Sequence, residues 1–106
     1  QSWKFLEWLG YFNDDNFPWI YHSDLGWIYV HGPKEDEVWL YITGLGWFWT
    51  TEEIWSNRTP DWLLWLYEQE NSRWVGYYIY EPVGKTLLLE GKTFWNPQSQ
   101  RDFVYE

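Results

Sequence analysis

Cysteine and methionine are both absent from the 106 residues. Their absence excludes disulfides, thiolate metal sites and thiol nucleophiles, and removes the side chains that oxygen damages most readily. Such a chain suits exposure outside a cell. Its start at Gln1, with no initiator Met, adds the expectation of a processed, exported protein that is extracellular or at the cell surface. Long apolar runs are missing as well. The longest, WLLWLY at 62–67, is far below the roughly 20 residues of a spanning helix, so no membrane span is expected. Positive charge is scarce: seven Lys or Arg stand against sixteen Asp or Glu, for a net charge of −9. Such a field repels nucleic acid and anionic membrane, and neither is expected as a partner.

What the chain has in abundance is aromatic surface, with twelve Trp, nine Tyr and six Phe. A domain of this mass has a folded area of roughly 6,400 Å² against about 19,000 Å² when unfolded. Those rings, at about 150–250 Å² each, supply roughly 4,000–7,000 Å² of potential burial. Length and composition describe one domain, residues 1–106, able to build a sizeable core.

The aromatics are not scattered. Residues 19–30 read WIYHSDLGWIYV and residues 39–50 read WLYITGLGWFWT, an offset of twenty. The shared frame is Trp19, Tyr21, Leu25, Gly26, Trp27 and then Trp39, Tyr41, Leu45, Gly46, Trp47. Trp3, Phe5, Leu9, Gly10 and Tyr11 hold the same spacing upstream. Trp65, Leu66 and Tyr67 restart it downstream, and EQENSR leads on to Trp74 with one extra residue and no Leu-Gly. The repeat units are therefore about 3–12, 19–30, 39–50 and 65–80. The unequal spacing falls between units, where loops accept insertions.

Within a unit, aromatic and aliphatic residues alternate with the period of a β-strand. HSDLG and ITGLG are short and end in Gly, as a hairpin loop with a left-handed residue requires, which assigns Gly26 and Gly46 to turns. Folding the arms back is expected to set Trp19 opposite Trp27 and Trp39 opposite Trp47. The fold class expected is all-β: an antiparallel meander of about four aromatic hairpin repeats, sandwich or barrel-like. TTEEIW at 50–55, a Thr followed by two Glu, reads as the N-cap of one short helix near 51–56. After Trp74, VGYYIYE, TLLLEG and a weaker pair, FWNPQ with DFVYE, read as strands punctuated by Pro82 and Pro97.

Stretches such as VWLYI, WFW and LLWLY are apolar at consecutive positions, which describes strands that need cover on both faces. One cover is the other half of the chain. With so little helical sequence, the second must be solvent-tolerant aromatics, a ligand or another molecule, and contiguous exposed aromatics mark a binding or assembly face.

FPWIYHSDLGWIYV with VWLYITGLGWFWT resembles the aromatic WxYxxxLGW hairpin-repeat region found toward the C-termini of many secreted bacterial surface proteins. The likeness covers roughly residues 8–80 and implies a cell-surface setting without implying a reaction. A looser similarity links the hairpins to the choline-binding and glucan-binding repeats of cell-wall proteins, where rings of neighbouring hairpins cage a ligand. Those repeats differ in Gly-Trp order and in their close, even spacing.

Conventional chemistry finds little purchase. His22, Ser23 and Asp24 are adjacent and cannot reach around one another as a triad, so they read as a turn in which Asp24 bonds its own backbone. His22 and His31 lack a third ligand, and no metal or other cofactor is expected. Asn13, Asp14, Asp15 and Asn16 offer oxygens to calcium but lack the Gly and terminal Glu of an EF-hand loop, and read as a polar connection. Glu52 with Glu53, or Glu35 with Asp36 and Glu37, are acids in connections without a deep cleft, and no enzyme is expected. Asn57-Arg58-Thr59 matches a glycosylation acceptor, a match the following Pro60 weakens.

The expectation is a structural extracellular subunit that assembles with copies of itself into a filament or surface layer. Trp19, Trp27, Tyr29, Trp39, Trp47, Trp49 and Trp65 are the expected core, interface or binding residues. The alternative is a carbohydrate-binding module, with Trp27, Tyr29, Trp47, Trp49 and Asp24 meeting a glycan.

Overall fold

A computed structural model describes residues 3–82, 84 and 92–105. Among the described residues the alternation of residue types becomes ten strands: β1 Trp3–Leu6, β2 Gly10–Asn16, β3 Trp19–His22, β4 Gly26–Lys34, β5 Glu37–Ile42, β6 Gly46–Thr51, β7 Leu63–Glu68, β8 Arg73–Tyr78, β9 Phe94–Asn96 and β10 Arg101–Phe103. Each pairs antiparallel with the next in sequence order, giving one meander from β1 to β10. The expected all-β meander is thus present, and its last hairpin joins the FWNPQ and DFVYE segments. The expected strand TLLLEG at 86–91 lies outside the described residues.

Why Leu-Gly recurs becomes clear at the turns. β1–β2, β3–β4 and β5–β6 close through the residue pairs Leu6↔Gly10, His22↔Gly26 and Ile42↔Gly46, with three residues in each loop. The closing glycines have φ of +94°, +76° and +114°, a conformation costly for any residue with a Cβ. The leucine just before each turns inward, with Leu9 and Leu25 buried and Leu45 packed against the core. One dipeptide therefore reverses the chain and plugs the end of the sheet.

This three-residue turn also corrects the expected register. Trp19 lies opposite Tyr29 and Tyr21 opposite Trp27; Trp39 lies opposite Trp49 and Tyr41 opposite Trp47. In the fourth hairpin the extra residue makes the loop longer, from Glu68 to Arg73, and Ser72 takes the positive φ.

Inward positions build the core, including Ile20, Ile28, Leu40, Phe48, Leu64, Leu66, Val75 and Phe94. The sheet curls so that this face packs on itself. Phe48 on β6 stacks with Phe94 on β9 at 6.0 Å and 13°, and the Tyr77 hydroxyl on β8 donates to the Asp24 carbonyl in the β3–β4 turn at 3.0 Å. The curl stays open, because β1 and β10 do not pair among the described residues.

The one helix among the described residues, α1 (Glu52–Ser56), follows β6. Its N-cap is Thr51, whose hydroxyl accepts from the Ile54 amide at 3.2 Å, and Glu52 and Glu53 sit favourably in its first turn. The helix delivers Trp55, which is buried against Trp8 and His22 with edge-on ring contacts at 5.8 and 5.5 Å.

Gly76 on β8 is a glycine for a different reason. A Cβ there would meet three Leu63 side-chain carbons at 2.8–2.9 Å, whereas one at Gly32 would make ordinary contacts from 3.5 Å outward. Gly76→Ala is expected to lower unfolding stability by about 1–3 kcal/mol through overpacking. Gly32→Ala should stay within about 0.5 kcal/mol. Paired denaturant melts check the contrast, and equal losses would remove the Leu63 clash as the cause.

Candidate functional site

Period-two alternation that sends Ile, Leu and Val inward sends Trp and Tyr outward, and pairing in register lines them into rows across the sheet. One row runs Trp3, Asn13, Tyr21, Trp27 across β1–β4. A second runs Trp19, Tyr29, Tyr41, Trp47 across β3–β6. A third runs His31, Trp39, Trp49, Tyr67, Trp74 across β4–β8. A fourth holds Trp65, Gly76 and Trp95.

All seven residues expected as core or interface anchors lie on this outer face, and none belongs to the buried core. Trp19 and Trp27 are exposed, while Tyr29, Trp39, Trp47, Trp49 and Trp65 are half-buried. The core role instead falls to aliphatic residues with Phe48, Phe94 and Trp55.

The outer rings hold one another edge-on. Trp19, Tyr29, Trp47 and Tyr41 form a closed circuit, with centroid separations of 5.4, 6.1, 5.5 and 6.4 Å and interplanar angles from 62° to 89°. Tyr21–Trp27 and Tyr67–Trp74 repeat the geometry at 5.4 Å, and Trp3–Tyr21 at 6.2 Å. Edge-to-face pairs are the favoured arrangement, worth about 0.5–1.5 kcal/mol each beyond burial. The face is thereby stiff before any partner arrives.

Among the strand aromatics, exposure is greatest toward β1. Trp3, Phe5 and Trp27 are 53%, 58% and 49% exposed, and Tyr11 and Tyr21 are exposed beside them. Every residue of β1 is exposed, and no described residue pairs with its outer edge.

The polar candidates take structural duties. Rather than Asp24 bonding its own backbone, His22 caps the β3–β4 turn: it is fully buried, and its Nδ1 accepts from the Asp24 and Leu25 amides at 3.1 and 3.2 Å. Both amides are donors, so Nδ1 is unprotonated, and Nε2–H donates to the Leu9 carbonyl at 2.7 Å. One imidazole ties two successive turns. Sequence reasoning missed this because the repeat places Ile42 at the equivalent position, where a backbone bond from the Leu45 amide to the Ile42 carbonyl does the closing.

Glu68 occupies the same position of the fourth hairpin and was missed likewise. It is buried, accepts from Arg73 Nε at 2.8 Å and from the Asn71 amide at 3.2 Å, and also accepts from the Asn71 side chain and the Tyr105 hydroxyl. Burial alone would raise its pKa, but the bonds from Tyr105, Arg73 and Asn71 and the Arg73 charge hold it below the ordinary value.

Asp14 pairs with Lys4 at 2.9 Å, and Asn13 Oδ1 accepts from the Asp15 amide. Asn57 is the C-cap of α1, and its side-chain amide donates to the Glu53 carbonyl at 3.1 Å. Asp36, Glu37, Glu52 and Glu53 come together around an open surface groove of about 370 Å³ at the start of α1. Comparison with family models, curated proteins and solved structures returns no match.

His22 makes stability depend on pH. Burial lowers its pKa below 6.5, with the Leu9 hydrogen bond and the Asp24 charge offsetting part of the effect. Above pH 6.5 the ring is neutral whether folded or not. As pH falls, the unfolded chain takes up a proton that the folded chain resists, so stability drops by up to about 1.4 kcal/mol per pH unit until the folded pKa is reached. Glu68 adds a second loss below pH 4.5. Denaturant titrations from pH 7.5 to 4 are expected to show the first decline in the parent chain, and His22→Gln should remove that slope between pH 6.5 and 5. An unchanged slope would mean that another group carries it.

Proposed function

We propose that this chain is an extracellular structural subunit that associates with copies of itself through the outer aromatic face and the β1 edge. The observation that carries the reading is β1 itself: a strand exposed along its whole length, with no described partner on one side, continuous with the most exposed rings. An unpaired strand is a template for a further strand, and proteins that avoid association blunt such edges with charge, Pro or a covering loop. WKFL has one charge, and that charge is engaged with Asp14.

Area points to a second copy as the occupant. The exposed portions of Trp3, Phe5, Tyr11, Trp19, Tyr21 and Trp27 amount to roughly 400–700 Å² at 150–250 Å² per ring. A standard interface takes about 800 Å² from each partner, and the half-buried rings of the neighbouring row supply the remainder. Antiparallel pairing of two β1 strands about a two-fold axis continues both the sheet and its aromatic rows. The charge of −9 limits indiscriminate aggregation.

The sugar-binding alternative draws less support. A stacking platform needs neighbouring rings in one plane, whereas the neighbouring exposed rings stand edge-on at 74° in Tyr21–Trp27 and 81° in Trp3–Tyr21.

Sedimentation velocity across micromolar to millimolar concentrations is expected to show growth beyond the monomer. Phe5→Lys and Trp27→Ala should each return the chain to monomer, with stability lowered by only about 1–2 kcal/mol, since each side chain is about half exposed and loses one ring contact. A monomer at every concentration overturns the reading. If Trp fluorescence in that monomer responds to soluble polysaccharide, the sugar alternative takes its place.

A further inference from the structure

At the β1–β2 end of the curl, the inner face opens into a groove of about 400 Å³. Its floor is Phe12, Ile20, Val30, Val38 and Leu40, and Leu6 forms a wall. The physical origin is the open sheet: farther along, the inner face is filled by Phe94, Tyr77 and Trp55 from elements across the curl, and here no described strand lies opposite. The volume falls within the roughly 300–1,000 Å³ typical of small-molecule sites. At about 30 Å³ per water-sized group, it admits about a dozen heavy atoms.

The mouth carries a net negative charge. Asp14, Glu35 and Glu37 line it against Lys34. Asp14 is committed to Lys4 at 2.9 Å, so the acids of the β4–β5 turn face an incoming ligand. The whole chain, at −9, adds a field of the same sign. An anionic amphiphile would meet repulsion here, and a neutral one would gain nothing from the rim.

We infer that the groove is a binding site for a small cationic amphiphile: a linear apolar tail of about ten atoms on half-buried Phe12, Val30 and Val38, above the core residues Ile20 and Leu40, with one positive head at Glu35 and Glu37. The site is on the opposite side of the sheet from the aromatic face. It stands whether or not copies of the chain associate.

The test is methyl NMR of the full chain, titrated below micelle-forming concentrations with decyltrimethylammonium and, separately, decyl sulfate. The expected result is saturable shifts at the Leu6, Ile20, Val30, Val38 and Leu40 methyls. The cation should bind about three- to tenfold more tightly, a preference that shrinks in high salt. Val30→Phe, which fills the groove, should abolish these shifts, and Trp27→Ala on the outer face should leave them intact. Should Val30→Phe fail to fold, the double change of exposed Glu35→Lys and half-buried Glu37→Lys supplies the same test by inverting the head-group preference. Equal binding of the two detergents, shifts confined to outer-face residues, or an unaltered preference in the charge-reversed chain would each overturn the site.

Discussion

Everything in this molecule depends on a turn that holds register. Side chains along a strand alternate between faces, so a slip of one residue would send Ile20, Ile28 and Leu40 to solvent and drive Trp19, Trp27 and Tyr29 into the core. Both residue sets are apolar, and hydrophobicity alone discriminates poorly between the two registers. The Leu-Gly turn supplies the discrimination. Its glycine has a backbone conformation that other residues resist, and its leucine has only the interior to enter. Repeated in three hairpins, it sets which face each of their aromatics takes.

From that constraint come two faces of unlike physics. The inner one is close-packed, aliphatic with a few rings such as Phe48 and Phe94, and sealed where the sheet curls on itself. The outer one carries edge-on rings, in which Trp19, Tyr29, Tyr41 and Trp47 brace one another and part of their surface stays wet. Trp and Tyr suit this position because a large apolar body carries a polar tip that tolerates water. A face of this kind is ordered in advance, which reduces the entropy lost when something docks on it.

The hairpins are alike without being identical, and the differences carry their own chemistry. At the residue that closes each turn, Ile42 leaves the work to its backbone, His22 does it with a ring, and Glu68 does it with a carboxylate reaching Asn71, Arg73 and Tyr105. Tyr105 comes from beyond the last strand, so Glu68 also fastens the end of the meander to its middle. Buried His22 and Glu68 both favour neutral over acidic pH. At the other end of the chain, the sheet finishes with an edge that no described strand pairs, an exposed aromatic patch on one side and an apolar groove on the other.

Much of this was legible in the residues. Period two, the WxYxxxLGW frame and the glycines gave hairpins in sequence order, and Thr51 with two Glu marked α1, because these signals act within a few residues of one another. The turn length was not legible, since three- and five-residue loops read alike until the chain is paired, and so Trp19 was matched to Trp27 rather than Tyr29. Nor was the division of labour among tryptophans: twelve indoles share one composition, but only the curl decides that Trp55 is interior while Trp27 is wet. The roles of His22 and Glu68 likewise depended on partners brought close by folding, at Leu9 and Tyr105. Local geometry is written in neighbouring residues, whereas burial and long-range hydrogen bonds exist only once distant segments of the chain meet.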